Sequence, residues 1–530
     1  MGQYGREHGT TGPNPISENT QPVLAPRMRF LRSEPVTEPL PIADALKNTP
    51  YRDPNVLAGV SDDSAQYKAL DIAVRVGELL LRCGASTRDV ESSVVAVAAS
   101  AGLRRLEVDI TNQALLLQTP SPHPGHPPLT MLRVARSSTR DFSRLTAVHQ
   151  FVERLVAGGM DLDEATKQLR RIQRMPRLYP RWLVSVAFGG LAASVATILG
   201  GSWMAVAVAF VSAIIVDRIG RVLSNLGVPS FYSAAAGGLA STMLAWLAYM
   251  SHQSHLVGEF VATHLPGSMT MADFAYAISG GIVALLPGRQ MASAVEDAVT
   301  GYPVTASGRV LTVILACAGI TVGVGAGLSL TLSLDNALDL GLQSPGVLRY
   351  DSPSTTFLLQ VACGALGAVC SAVTMRSRVR MLVPTAVMGA LGVGGVTFLV
   401  SSIGLGATTA TAMAATAVGF CARLLALRLG APALVLVMPA VSPMLPGLRI
   451  FRGMYESVSG SLLGATRVAQ SGVGVTTMLG AVGIALALST GALLGDVLSA
   501  PFDRPIVQRR RARRRAREHP ARQRRRRGPR

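Results

Sequence analysis

The chain predicts a polytopic α-helical membrane protein, with about ten transmembrane helices in two five-helix modules and a small cytoplasmic α+β domain at the N-terminus. Three observations carry this prediction. Residues 182–330 and 356–499 are almost wholly apolar, interrupted only by short polar connections. The apolar content comes mostly from Ala, Val, Leu and Gly, with only 5% aromatic residues, and small residues of this kind let helix backbones approach closely in lipid. A Leu-Pro-Gly step stands at 286–288 and again at 445–447, in matching places of the two apolar stretches.

Residues 1–64 are polar and rich in Pro, with no short apolar core behind a basic start. They read as a disordered tail without a cleaved signal peptide. From 65 to 175 the composition is that of a soluble domain. "SAQYKALDIAVRVGELLLRCGAS" places Leu70, Ile72, Ala73, Val76, Leu79 and Leu80 on one helical face and stops at Gly84. "STRDVESSVVAVAASAGL" restarts a helix, with Ser86 or Thr87 as N-cap and Gly102 as stop. "RRLEVDITNQALLLQT" alternates at Leu106, Val108 and Ile110 as a strand does, and "LTMLRVAR" is its expected partner across a Pro/Gly loop. Two further helices, near 141–157 and 161–174, complete the domain.

A spanning helix needs roughly 20 apolar residues. That rule places spans near 182–200, 202–217, 228–250, 271–288 and 308–330 in a first module of 176–330. After a linker at 331–355, a second module of 356–499 holds spans near 356–375, 381–402, 407–427, 431–446 and 472–498. With the soluble domain inside, nine arginines fall on inside connections (218, 221, 289, 309, 376, 378, 380, 423 and 428) and four outside (349, 449, 452 and 467). The positive-inside rule supports that orientation, with both termini cytoplasmic. Residues 504–530, within the tail at 500–530, carry fourteen arginines and one glutamate. Such a run suits a solvated, topology-fixing tail in contact with anionic lipid, and nucleic acid is not expected as a partner.

Five spans per module give the two halves opposite orientations, the inverted-repeat design in which broken helices meet near the repeat interface of transporters. Each Leu-Pro-Gly closes the fourth span of its half and is followed by an amphipathic connector bearing acids. Pro removes a backbone donor and Gly tolerates unusual dihedrals, so the step frees polar backbone groups. At membrane depth such groups are tolerated only inside protein or beside a watered cavity. Pro287, Gly288, Pro446 and Gly447 are therefore candidate substrate-site residues. Glu296 and Asp297, with Glu456 in the second copy, can take a proton or meet an ammonium group. Asp217, at the inner end of the second span, joins this set. A Pro-Gly step is also an ordinary helix stop at an interface, and the twofold occurrence brings the two readings near parity.

Only three lysines exist (Lys47, Lys68, Lys167), none in a glycine-rich phosphate loop, so an ATP-driven machine is not indicated. The five cysteines lack CxxC spacing, and His123 and His126 sit in a Pro/Gly loop. No disulfide framework, metal site, cofactor or nucleophile-base constellation is read.

"GELLLRCGASTRDVESSVVAVAASAGL", "LLPGRQMASAVEDAVTGYPVTASGRV" and "PAVSPMLPGLRIFRGMYESV" resemble the threonine/serine exporter family over about 65–499. Its GE…GA…VE pattern maps to Gly77, Glu78, Gly84, Ala85, Val90 and Glu91. The resemblance implies a non-enzymatic secondary exporter of L-threonine and L-serine in the plasma membrane, driven by the proton motive force. Two alternatives stand beside it: dicarboxylate (succinate) export, associated with split relatives, and a membrane-anchored sensor or scaffold without transport. Assembly as a homo-oligomer is left open.

Overall fold

The structure is a computed structural model that describes residues 63–121, 126–135, 139, 141–158, 160–253, 269–338, 355–462 and 468–502. Almost all of the N-terminal tail, His123, the connection at 254–268, most of the linker and most of the Arg-rich tail lie outside the described residues.

The N-terminal region begins with α1 (Asp63–Cys83) and α2 (Thr87–Ser100). Gly84 separates them with φ +80°, its N–H bonding Leu81 O and the next N–H bonding Leu80 O. This is the left-handed termination that glycine permits without strain. Ser86 then caps α2 by accepting the N–H of Asp89. The expected strand at 104–119 is two strands, β1 (Glu107–Thr111) and β2 (Ala114–Thr119), which pair through a two-residue turn at Asn112 and Gln113. Asn112 takes φ +40°, a conformation that Asn tolerates better than most side chains. β3 (Leu129–Val134) pairs antiparallel with β2, giving the order β1-β2-β3. Two helices, α3 (Phe142–Val156) and α4 (Leu162–Gln173), follow. Leu70, Leu115, Leu117, Phe142 and Phe151 are fully buried among these elements.

The apolar part holds α5 (Arg181–Ile198), α6 (Trp203–Asn225), α7 (Ser230–Gln253), α8 (Met271–Val283), α9 (Gly288–Val299) and α10 (Pro303–Leu338). After the linker come α11 (Phe357–Thr374), α12 (Leu382–Ser401), α13 (Ala407–Leu429), α14 (Leu434–Val441), α15 (Gly447–Leu462) and α16 (Val468–Ser499). Among the described residues, seven helices are long and apolar enough to cross a membrane: α5, α7, α10, α11, α12, α13 and α16. The count is eight if α14 with its 3-10 extension and the start of α15, bent by 45° at the break, form one span.

Three boundaries differ from the sequence reading. α6 does not stop at Asp217 but runs to Asn225, because Arg221 folds back onto Asp217 and its guanidinium also donates to Ser185 Oγ at 2.6 Å. α8 is a 13-residue helix ending at Val283, four residues before Pro287. α10 continues through 331–338, where the linker was expected to begin.

The N-terminal region does not stand apart from the apolar helices. Its core is continuous with buried residues of α12, α13, α14 and α16, including Met388, Val418, Leu436 and Leu488. It also holds the α11–α12 connection: Phe142 N–H bonds Met375 O at 2.9 Å and Tyr179 Oη–H bonds Ser377 O at 2.9 Å. Arg378 donates to Gln150 Oε1 at 3.1 Å, and Gln150 in turn donates to Gly430 O after α13.

Candidate functional site at the crossed helix breaks

The two Leu-Pro-Gly steps touch each other. A Cβ on Gly288 would stand 2.9 Å from Cδ1 of Leu445, and a Cβ on Gly447 would meet Ser279 O at 3.1 Å and Leu286 Cδ1 at 3.8 Å. The leucine of each step thus approaches the glycine of the other. Pro287 and Pro446 each precede the first residue of a connector helix, α9 or α15, and Pro287 O and Pro446 O accept the first helical bonds, from Met291 and Ile450. Beside the crossing lies a small cavity of about 10 Å³ lined by Met291, Met438, Leu445, Leu488 and Ser489 among others. It has room for roughly one water, so the crossing is packed shut in this conformation.

Buried hydroxyls accompany each break. Near the first, Ser212 Oγ donates to Ser241 Oγ at 3.1 Å, and both crowd the face of Gly281 on α8. Near the second, Ser371 Oγ donates to Ser442 Oγ at 2.8 Å. Gln360, buried on α11, accepts from Thr397 at 2.7 Å.

The connector α9 carries Glu296 and Asp297 to the N-terminal region. Asp297 is fully buried. Its Oδ1 accepts the N–H of Thr87 at 3.0 Å, and its Oδ2 lies 2.7 Å from Arg309 Nη1 on α10. The first turn of α2 has free N–H groups and a partial positive charge, so it favours a carboxylate there. Glu296 faces Ser86, Asp89 and Asp496, and Asp496 on α16 pairs with Arg423 of α13 at 3.2 Å. Asp89 carries accessible surface and Glu296 is half-buried, yet protein crowds both. Burial first, then the Asp89 carboxylate, push Glu296 up to about 8, with Asp496 and Asp297 acting the same way against a hydrogen bond from Ser86. Burial likewise raises Asp89, opposed by Arg423.

The other predicted residues lie elsewhere. Asp217 is engaged by Arg221 within α6, away from the junction. Glu456, ten residues after Pro446 as Asp297 is ten after Pro287, pairs with Arg452 at 2.6 Å and accepts from Thr477 at 2.8 Å. Gly77 lies at a helix crossing where a Cβ would meet Leu115 and Val94. Glu78 pairs with Arg82 at 3.7 Å, and burial raises Glu91 on α2. Asp273, at the start of α8, is buried. It caps α8 through Thr270 and accepts Ser202 N–H at 2.7 Å, satisfying two helix starts at once. Sequence reasoning placed Ser86 or Thr87 at the start of α2, where Ser86 is the cap, but did not bring either of them, or Asp89 and Asp496, to this junction.

Residues 71–331 match the family model described as "Putative threonine/serine exporter", and residues 360–495 match that described as "Threonine/Serine exporter, ThrE". A "Probable threonine/serine exporter" of Mycobacterium tuberculosis is 31% identical over 465 residues, covering 88% of this chain and 81% of the relative. A "Threonine/serine exporter" of Corynebacterium glutamicum is 30% identical over 464 residues, covering 87% and 88% respectively. No solved structure matches. The two family matches run in chain order across both crossed breaks, and the two relatives span most of the chain: it belongs to the threonine/serine exporter family.

Proposed function

We propose that this chain is a secondary active exporter of L-threonine and L-serine across the plasma membrane, driven by the proton motive force. The observation that carries the reading is the reciprocal packing of Leu445 on Gly288 and Leu286 toward Gly447, within a chain whose relatives are named for threonine/serine export. Two inverted five-span modules that cross at broken helices can rock about a shared centre. In this layout α8 with the first break and α14 with the second are the fourth spans, and ten spans result. The soluble domain lies on the cytoplasmic side with both termini, and the Arg-rich tail meets anionic lipid.

The soluble domain grips α9 and α10 of the first module and the connections after α11 and α13 of the second. It is thus a regulator of the relative motion of the modules, and the chain is a transporter with no enzymatic step. Carboxylates dominate the junction, which disfavours a dianionic substrate such as succinate and suits an ammonium group.

The test is efflux of labelled threonine, serine and succinate from preloaded cells with and without this protein, and with a protonophore. Threonine and serine efflux that collapses with the protonophore is the expected result. Succinate efflux alone, or no efflux from cells with confirmed membrane expression, overturns the reading.

A further inference from the structure

Five elements converge at the junction between the N-terminal region and the apolar helices, and their four acids outnumber their three arginines. α2 contributes Asp89, with exposed Arg88 one residue before it. α9 contributes Glu296 and Asp297, α10 Arg309, α13 Arg423 and α16 Asp496. Arg309 is taken by buried Asp297 and Arg423 by Asp496. Arg423 and Arg88 also draw on Asp89, whereas no arginine opposes the charge of Glu296, which faces Asp89, Asp496 and Asp297 and shares Ser86 with Asp89. Like charges so close resist joint ionisation, so the pair retains a proton or attracts a cation. A second observation points to a ligand. Thr87 is fully buried, its N–H is bound to Asp297, and its hydroxyl has no hydrogen-bond partner among the described residues.

We propose that Glu296, set against Asp89 at this junction and half-exposed to water, is an exchange site that holds either a proton or the α-ammonium group of the amino-acid substrate. The unsatisfied Thr87 hydroxyl supplies a polar contact for the rest of the same solute. The exchange is balanced. The neutral Glu296 carboxyl releases its proton to water, and the resulting carboxylate takes the –NH3+ group of the zwitterion; the Glu296–ammonium pair is neutral as the protonated carboxyl was, and the solute's own carboxylate remains as the one added negative charge. Competition for one carboxylate couples an outgoing amino acid to an incoming proton without any separate ion site. This inference rests on the export reading and names the site that would perform it.

The experiment is calorimetric titration of L-threonine into the purified full-length protein in detergent between pH 6 and 8, in two buffers of different ionisation heat. The wild type is expected to bind about tenfold more tightly per pH unit as pH rises toward the Glu296 titration, and to release a proton on binding. Glu296→Gln is expected to lose both the proton release and the pH dependence. Asp89→Asn, which removes the neighbouring charge, is expected to move the pH dependence to lower pH. Wild-type binding that does not vary with pH, or proton release unchanged in Glu296→Gln, overturns the proposal. Where Glu296→Gln does not purify as a single species, an unshifted pH dependence in Asp89→Asn overturns it equally. A wild type that binds neither threonine nor serine counts against the export reading instead. The proton half is then read by infrared spectroscopy: a protonated-carboxyl band at pH 7 that Asp89→Asn diminishes sustains it, and no such band in the wild type overturns it.

Discussion

Leu445 occupies the space that a side chain on Gly288 would need, its Cδ1 2.9 Å from the position of that absent Cβ. Leu286 stands in the reciprocal relation to Gly447 at 3.8 Å. Each break therefore supplies a knob and receives one. A glycine at each contact lets the leucine lie directly on backbone. The crossing is an apolar contact: among the described residues no hydrogen bond joins the two Leu-Pro-Gly steps.

The two glycines differ in what a methyl group would meet, and this separates their substitutions. At Gly288 the obstacle is the end of the Leu445 side chain, which can turn aside; at Gly447 it includes the carbonyl oxygen of Ser279, which is fixed in α8. Gly447→Ala should cost about 1–3 kcal/mol, typical of overpacking, and abolish most efflux. Gly288→Ala should be milder, and Leu445→Ala in the same chain should restore part of its loss. Efflux rates and thermal midpoints of the single and double variants check this, and an additive double variant contradicts it.

Asp297 and Arg309 tie α9 to α10 with both partners mostly or wholly buried. Removing one member of a buried pair strands the other charge, at a typical cost of about 3–5 kcal/mol. Asp297→Asn should keep a hydrogen bond to Thr87 N–H but leave Arg309 uncompensated. It should therefore lower the thermal midpoint strongly, and Asp297→Asn with Arg309→Gln should recover much of the loss. If the double variant is as unstable as the sum of the singles, the pair is not the reason for the loss.

The sequence exposes the parts of this site that announce themselves locally and hides those assembled across it. Glu296 and Asp297 are legible because acids directly after a broken apolar helix are unusual. The paired Leu-Pro-Gly steps are legible because they repeat. Asp89, Ser86 and Thr87 reach the same place from a helix some 210 residues earlier, and nothing in their own segment distinguishes a cap at a domain junction from a cap in solvent. A usable signal did exist for Asp496 and Arg423. Each is an isolated charge near the end of a long apolar helix, and such charges tend to find one another; Arg423 read alone was only a mark of topology. The β1–β2 turn was missed because Asn112-Gln113 lacks the glycine that usually marks a two-residue hairpin.

The raised Glu296 carboxyl makes stability depend on pH with a definite sign. Its folded value of about 8 exceeds its ordinary 4.5, so the native state holds a proton that the unfolded chain releases. Stability tied to this group is complete below about pH 4.5 and declines as pH rises through about 8. Glu296→Gln mimics the protonated form. Its thermal midpoint should match the wild type near pH 5 and exceed it increasingly toward pH 8.5. A constant offset at all pH values would show that Glu296 does not titrate in this range.

Thr305 is where the soluble domain meets the start of α10. Its hydroxyl donates to Ile110 O at 3.0 Å and accepts Asn112 N–H at 3.2 Å, so one buried side chain satisfies two backbone groups of the β1–β2 hairpin. Thr305→Val keeps the shape of the residue and removes both bonds, leaving backbone groups unpaired at a cost of about 1–3 kcal/mol. Thr305→Ser keeps the hydroxyl and should retain wild-type stability within about 0.5–1 kcal/mol, the scale of a lost methyl group. If the hairpin transmits the soluble domain's hold to α10, Thr305→Val should change the efflux rate while leaving threonine affinity near that of the wild type. Thr305→Ser should change neither. Loss of affinity together with rate in Thr305→Val would place the residue in the binding site rather than in the linkage. An unchanged rate in a variant shown by hydrogen exchange to have freed the hairpin would mean that this contact carries no part of the regulation.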